Sequence, residues 1–374
     1  MAPGAEFADV FERLRAALSD LRARHTSGAG GLAVARARAA AMDEALGQLW
    51  ARVAPPAGSL ALVAIGGYGR GELSPASDLD LMVLHAGEPS AREVSERLYY
   101  ALWDNAGVPV GHATRTVKEC LRLAKTNLEA ETSFLTPRLL AGAEASAAEF
   151  TSATLAATRK RRSGFVRDVR EMMRARHVVS GSATSQVEPN LKEGIGGLRD
   201  LHVMGWFERV EGANLLSSAD HAHLEEAADL LLRVRDDLHD LTGSASDVLL
   251  LQHQRPIALR LGYSDAARPA EDELMRGLFT ATRGVELIVS SVVADLVAGP
   301  PRRIRSAAGG CFAEQDGRVV VARTPDLAAE PERALEAFAL GVPPGSGALH
   351  ALEDALAQVG TLPWTDAVRR AFLG

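Results

Sequence analysis

Apolar residues recur at helical spacing along the first fifty residues. They occupy positions 7, 10, 11, 14, 18 and 21, and steps of three and four residues place them on one face of an amphipathic helix. Serine and glycine interrupt the pattern at residues 27–31, after which it continues. We therefore predict two helices over residues 7–53, ended by the Pro55-Pro56 pair.

The next part of the chain alternates short apolar runs with helical patterns. Two runs of strand length, LALVAI and LDLMVL, begin at residues 60 and 79, and a third strand is predicted near residues 108–115. Ser90 and Thr116 each stand three residues before a glutamate, which is the spacing of a capping box at the start of a helix. A compact unit of strands and helices, ending near residue 142, is therefore expected.

From residue 147 to about 298 the pattern is almost wholly helical. Apolar residues at 224, 227, 228, 231, 234, 238 and 241 form a regular stripe. Residues 180–200 are a polar, glycine-rich insert within this part. After the Pro-Pro-Arg-Arg run at 300–303, the sequence predicts a hairpin with Asp316-Gly317 as its turn, and then two helical stretches.

These patterns predict an α+β fold in four parts. The parts are N-terminal helices at 1–58, a unit of strands and helices at 59–145, a helical domain at 146–299, and a C-terminal hairpin with helices at 300–374.

Composition narrows the class of protein. The chain has 374 residues and a formal net charge of −7, which argues against a constitutive nucleic-acid binder. Cys120 and Cys311 lie far apart and outside any CxxC pattern, so neither a disulfide framework nor a zinc site is expected. The N-terminus lacks the pattern of a signal peptide, and no window reaches eighteen uninterrupted apolar residues. We expect a cytoplasmic protein with no membrane span.

Two aspartates at the start of the second predicted strand suggest a metal site. Asp78 and Asp80 are separated by one residue, so on a strand both side chains point the same way while Leu79 and Leu81 point into the core. Two converging carboxylates repel each other unless a cation lies between them, and such oxygen ligands suit Mg²⁺ or Mn²⁺. A bare Asp-x-Asp pair is also compatible with a tight hairpin whose aspartates face solvent.

The turn between the first two strands is suited to phosphate. Gly66 and Gly67 permit close approach of a polyphosphate to backbone N–H groups, and Arg70 adds a charged donor. The sequence GGYGRGE is neither a Walker A loop nor a Rossmann fingerprint. Apolar strand, Gly-Gly, ten residues, Asp-x-Asp and a second apolar strand resemble the nucleotidyltransferase superfamily of DNA polymerase beta type. That superfamily commonly has a third carboxylate, for which Glu129 and Glu131 are the nearest downstream candidates.

A second motif, EPNLKEGIGGLRDLH at residues 188–202, makes a polar glycine-rich loop that enters a helix. Taken alone, it is compatible with a solvated loop. Together with GGYGRGELSPASDLDLMVL it resembles the bacterial PII-protein uridylyltransferases. Matching pieces follow in that family's order: VGHATRTVKEC, RLLAG, LRVRDDLH, LGYSD and ELMRGLF.

The resemblance implies a nucleotidyltransferase domain at 59–145 that binds UTP and Mg²⁺, followed by the family's helical domain. Asp78 and Asp80 would be the catalytic metal ligands. A tyrosine of a PII signalling protein would accept UMP. The candidate nucleotide-binding residues are Gly66, Gly67, Arg70, Ser77 and Lys192.

Departures from the family lead to further expectations. In the family an HD-type phosphohydrolase domain and two glutamine-sensing ACT domains follow, whereas this sequence stops at Gly374, so we expect uridylyl removal and direct glutamine regulation to be absent. The His239-Asp240 doublet lacks the surrounding residues of an HD metal site. Around Asp247 the family usually has arginines, which this chain lacks.

Three alternatives follow from these departures. The protein could be a nucleotidyltransferase with another nucleotide or acceptor, such as an adenylyltransferase. It could be a catalytically degenerate regulatory or binding protein. It could also be the front portion of a longer chain.

Overall fold

The structure of the chain is a computed structural model. It describes residues 5–53, 60–105, 109–181, 183, 185–212, 215–298, 305–306, 310–315, 318–321, 323, 325–340, 347–359, 361 and 363–373.

The first part of the chain combines helices with four strands. Its elements are α1 (Ala8–Thr26), α2 (Gly31–Val53), β1 (Ala61–Ala64), α3 (Gly66–Gly69), β2 (Leu79–Leu84), α4 (Ala91–Asn105), β3 (Val110–Arg115), α5 (Val117–Ala124), α6 (Leu128–Ser133) and β4 (Arg138–Gly142).

The remaining described elements are mostly helical. They are α7 (Glu144–Lys160), α8 (Arg162–Ser180), α9 (Leu198–Glu211), α10 (Ser218–Thr242), α11 (Leu251–Arg260), α12 (Ala270–Ala298), β5 (Arg305–Ser306), β6 (Phe312–Gln315), β7 (Arg318–Val321), α13 (Arg333–Ala339), α14 (Gly347–Val359) and α15 (Asp366–Leu373).

The four strands form one mixed sheet in the order β3-β2-β1-β4. Strand β1 is antiparallel to both of its neighbours, whereas β2 and β3 are parallel. The parallel pair requires a crossover, and α4 supplies it. The predicted capping box at Thr116 is present, since its side chain accepts from Glu119 N while the Glu119 carboxylate accepts from Thr116 N.

Both faces of the sheet are covered, which explains the continuous apolar run of β2. Leu81 packs in a core that also contains Leu46 of α2. Met82, which points the other way, packs with Cys120 and Phe150. The N-terminal helices thus share a core with the sheet.

The helical part forms further cores around α10 and α12. Leu231 of α10 packs with Leu274 of α12 and with Ala35 of α2, so α2 contacts both the sheet and the helical part. Among the described residues, α12 is the one helix long and apolar enough to cross a membrane by length and composition. Its Leu274, Leu278 and Val285 are buried in the protein core.

The α+β class and the order of a mixed unit followed by helices are confirmed. Four local predictions need correction. The glycine turn contains one helical turn, α3, and Asp78 directly precedes β2 instead of lying within it. Near the C-terminus, β5 adds a strand to the predicted hairpin, and three described helices follow that hairpin instead of two. The hairpin itself forms, with Gln315 paired to Arg318; the predicted turn residues 316 and 317 lie outside the described residues.

Candidate active site

The two sequence motifs line one cavity of about 310 Å³. Its walls come from α3, the segment that leads into β2, α6, the loop before α9, α9 itself, α10 and the loop after α10. The predicted site residues all lie on its surface: Gly66, Gly67, Arg70, Ser77, Asp78, Asp80 and Lys192.

Asp80 lies between two glycines. A Cβ atom on Gly66 would lie 2.7 Å from Asp80 Oδ2, and a Cβ on Gly111 would lie 2.8 Å from Oδ1. Gly66 also has a φ of +58°, a conformation that side chains disfavour. Gly66 therefore leaves space for the carboxylate, a role that the sequence analysis did not predict, while Gly67 faces the more open part of the turn.

The positive charges of Arg70 and Lys192 offset the charge of the Asp80 carboxylate only in part, so its pKa is raised. Burial raises its pKa, and the negative charges of Asp78 and Glu129 raise it further. Among the described residues, no side chain or backbone amide donates a hydrogen bond to it. A hard divalent cation fits this donor set, because it would neutralise the converging carboxylates. In the described part of the chain, no three His, Cys, Asp or Glu side chains lie close enough together to hold one metal ion. The candidate site therefore has two carboxylates, Asp78 and Asp80, that line the same cavity.

The structure distinguishes the two candidates for a third carboxylate. Glu129 lines the cavity. Glu131 is 2% exposed, accepts a 3.0 Å hydrogen bond from the Thr158 hydroxyl and pairs with Arg161. Glu131 therefore helps to hold α6 against the end of α7 and does not line the cavity.

Arg70 joins the glycine turn to α9. Its Nε donates to Glu72 Oε2 at 2.8 Å, and its Nη2 lies 3.0 Å from His202 Nε2. Burial and the charge of Arg70 lower the pKa of His202 to about 3, so the imidazole is neutral at neutral pH. Burial raises the pKa of Glu72, but contacts with His202 and Arg70 outweigh it and bring that pKa to about 2. Arg70 is thus oriented by two partners at the cavity wall.

Tyr68, in the middle of α3, is held from the opposite side. It is fully buried, and its hydroxyl donates a 2.6 Å hydrogen bond to Asp43 of α2. Arg138 of β4 pairs with Asp43 and lies over the Tyr68 ring. These contacts fix the glycine turn against the sheet. No pattern in the sequence linked Asp43 to the motif, and Arg138 was noted only as the first residue of the RLLAG segment.

The second motif divides into a structural half and an exposed half. Asp200 is 1% exposed, accepts from Gly196 N at 2.7 Å and pairs with Arg176, so it shapes the loop. Lys192 and Arg199 line the cavity. The Nζ of Lys192 lies 3.9 Å from Asp247 Oδ2, and its side chain is about one-third exposed.

His239 and Asp240 do not act as a pair. The Nδ1 of His239 accepts from the backbone N–H of Ala76 at 3.2 Å, inside the protein. Asp240 instead pairs with Arg22 of α1 at 3.1 Å. The doublet has the separate packing roles expected for a chance match to an HD motif.

Two known protein families match the chain, and each match includes one of the two motifs. A family described as nucleotidyltransferase domain matches residues 46–131, which include Asp78, Asp80 and Glu129. A family described as GlnD PII-uridylyltransferase matches residues 164–293, which include Lys192 and Asp247.

Curated relatives carry the name bifunctional uridylyltransferase/uridylyl-removing enzyme. The protein from Streptomyces coelicolor is 37% identical over 296 residues, which cover 73% of this chain and 34% of the relative. Those from Burkholderia thailandensis and Phenylobacterium zucineum are 32% identical over 344 residues and 34% over 308, covering 87% and 75% of this chain. These two matches span 40% and 33% of the lengths of the two relatives, respectively.

The chain therefore spans about a third to two-fifths of the length of the relatives it matches. The two family matches, at residues 46–131 and 164–293, together contain both motifs and most of the cavity wall. On this evidence the chain belongs to the family of PII-uridylyltransferases, whose nucleotidyltransferase and helical regions it shares.

Proposed function

We propose that the chain is a metal-dependent nucleotidyltransferase that transfers UMP from UTP to a tyrosine of a PII signalling protein. The observation that carries this proposal is the convergence of Asp78, Asp80 and Lys192, from two distant motifs, on one cavity. Both motifs are those of the uridylyltransferase family.

Asp78 and Asp80 would hold the divalent metal, Mg²⁺ or Mn²⁺, and Glu129, whose charge raises the pKa of Asp80, is an additional carboxylate on the cavity wall. Such an ion supplies positive charge that stabilises the attacking and leaving oxygens of a displacement at phosphorus. Glycines on both sides of Asp80 keep its two oxygens unobstructed by neighbouring side chains.

The remaining residues would bind and orient the nucleotide. Gly67 leaves the backbone of the turn open, and Arg70 is held in place by Glu72 and His202. Lys192 supplies an ammonium group from the loop before α9, where its only described ion-pair partner is at 3.9 Å. Ser77 also lines the cavity. Two positively charged side chains on the cavity wall can hold a triphosphate while its α-phosphorus faces the carboxylates.

In the proposed reaction the phenolic oxygen of the acceptor tyrosine forms a bond to the α-phosphorus of UTP. The bond from that phosphorus to the bridging oxygen breaks, pyrophosphate leaves, and the phenolic proton is released. Catalysis of this kind depends on positioning and on charge stabilisation. The protein would act in the cytoplasm, in agreement with its two free cysteines.

A transfer assay tests the proposal. The full chain is incubated with Mg²⁺, a PII protein and each of the four α-³²P-labelled nucleoside triphosphates in turn. Label transferred from UTP, and lost in a PII variant whose acceptor tyrosine is replaced by phenylalanine, is the expected result.

Label from ATP alone would identify an adenylyltransferase. Absence of label from every nucleotide would favour the non-catalytic binding protein. The family's arginines around Asp247 are absent here, and Ala245 lines the cavity beside it, so comparison of all four nucleotides is the necessary form of the assay.

A further inference from the structure

The segment that leads into β2 ends in Asp78, and it is held by residues far away in sequence. The backbone carbonyl of Leu73 accepts a 2.6 Å hydrogen bond from Arg38 of α2. The N–H of Ala76 donates to His239 Nδ1 at 3.2 Å. The hydroxyl of Ser77 accepts from Arg235 Nη1 at 3.3 Å.

Two of these contacts come from adjacent turns of one helix. Arg235 and His239 are four residues apart on α10, so they lie on the same side of that helix. Both are buried, with exposed fractions of 7% and 2%. They contact consecutive residues, Ser77 and Ala76, immediately before Asp78.

Asp247 holds Arg235 in its orientation. Its Oδ1 accepts from Arg235 Nε at 2.6 Å and lies 3.5 Å from His239 Nε2. Burial raises the pKa of Asp247, but the contacts with His239 and Arg235 outweigh it and lower that pKa to about 2. The carboxylate is therefore ionised at neutral pH, and Arg235 keeps a charged partner while its Nη1 reaches Ser77.

Asp78 needs such support because it lies outside the sheet. The backbone of Asp80 is fixed within β2 by pairing with β1 and β3. Asp78 precedes that strand. Within the segment itself, Ser77 Oγ accepts from Ser74 N at 3.0 Å and Ser77 N donates to Ser74 O at 3.0 Å, which closes a small turn. Arg235 binds the same Ser77 oxygen and so attaches this turn to α10.

We propose that Arg235 and His239 are positioning residues for the candidate metal ligand Asp78, and that Asp247 orients Arg235 for this task. This inference rests on the proposed function, in which Asp78 holds the metal. It predicts that the helical part controls the metal affinity of a site whose candidate ligands all lie outside that part. Residues behind a metal ligand commonly contribute about 10–100-fold to metal affinity.

Direct Mn²⁺ binding tests this inference without a nucleotide or acceptor. Electron paramagnetic resonance of free Mn²⁺, titrated with the full chain, gives the dissociation constant for the metal alone. We expect Arg235→Gln and His239→Ala each to weaken Mn²⁺ binding about tenfold or more. Hydrogen exchange in the peptide that covers residues 73–78 should be faster in both variants without metal.

Conservative replacements distinguish positioning from general support of the fold. Asn in place of His239 supplies an oxygen near the position of Nδ1, so His239→Asn should restore Mn²⁺ affinity relative to His239→Ala. Arg235→Gln and Ser77→Ala remove one shared contact, so their combined effect on Mn²⁺ affinity should be smaller than the sum of the two separate effects. Ser77→Ala also removes the hydrogen bond from Ser74 N, which Arg235→Gln leaves in place. Arg162→Gln removes a 2.6 Å contact with Glu211, another ion pair of the helical part, and should leave Mn²⁺ binding unchanged.

Equal Mn²⁺ affinity in wild type, Arg235→Gln and His239→Ala would overturn the inference, as would equal weakening by Arg162→Gln. Failure of the wild-type chain to bind Mn²⁺ would overturn both the inference and the metal dependence of the proposed function. Normal Mn²⁺ binding without transfer of any nucleotide would overturn the proposed function alone.

Discussion

Gly111 of β3 lies opposite Asp80 of β2 in the parallel pairing of these strands, so close that a Cβ on Gly111 would be 2.8 Å from Asp80 Oδ1. Apart from its place in the VGHATRT segment, nothing in the sequence marks Gly111 as part of the site. Its importance comes from strand register, which brings residues 31 positions apart into contact.

Gly111→Ala should weaken metal binding without unfolding the protein. The new methyl group would meet the end of a movable side chain, so the Asp80 carboxylate would shift while the sheet stays paired. We expect Mn²⁺ affinity and transfer rate to fall about tenfold or more, measured by spin resonance and by the labelled-nucleotide assay. Gly47→Ala on α2 is the control, because nothing lies within 4 Å of its added methyl group. Equal effects of the two changes would contradict the prediction.

Asp80→Asn should abolish transfer while the protein stays folded. The substitution removes a candidate metal ligand, and we expect the rate to fall by about 100-fold or more. Because burial and neighbouring carboxylates raise the pKa of Asp80, its negative charge disfavours the metal-free fold at neutral pH. The melting temperature without metal should therefore be unchanged or higher. A variant with the wild-type rate would remove Asp80 from the mechanism.

Substitutions of Glu129 and Glu131 should differ in their effect on metal binding, because Glu129 lines the cavity whereas Glu131 is buried in packing contacts. Glu129 contributes negative charge at Asp80, so Glu129→Gln should lower Mn²⁺ affinity. Glu131 is buried against Thr158 and Arg161, so Glu131→Gln should leave Mn²⁺ affinity unchanged. Parallel Mn²⁺ titrations of the two variants make the comparison. A larger loss of affinity in Glu131→Gln would reverse the assignment.

The ionised carboxylate of Glu72 should stabilise the folded protein by an amount that depends on pH. Its pKa falls from 4.5 to about 2 on folding, so the carboxylate stabilises the fold fully above pH 4.5 and progressively less as the pH falls towards 2. At pH 7 we expect Glu72→Gln to lower the free energy of urea unfolding by about 1–3 kcal/mol. The difference between wild type and variant should shrink at pH 3.5. A constant difference between the two pH values would show that the charge of Glu72 is not its source.

Local patterns predicted most of the elements and singled out the Asp78 and Asp80 pair. The alternation around Asp78 and Asp80, the capping box at Thr116 and the stripe along α10 each depend on residues within one or two turns, and each is present in the structure, with Asp78 displaced to just before its strand. Contacts between distant residues were not accessible in this way. Arg38 reaches the carbonyl of Leu73, and Arg235 reaches Ser77 across 158 positions.

The sequence by itself determined the α+β class, the Asp78 and Asp80 pair, and the two motifs that resemble the uridylyltransferase family, because these depend on short-range periodicity and on residue types at fixed spacing. Only the tertiary structure decided that Glu129 and not Glu131 faces the cavity, that Gly111 makes room for Asp80, and that α10 holds the segment before Asp78. Those relationships follow from strand register and helix packing, which bring together residues whose separation along the chain carries no local signal.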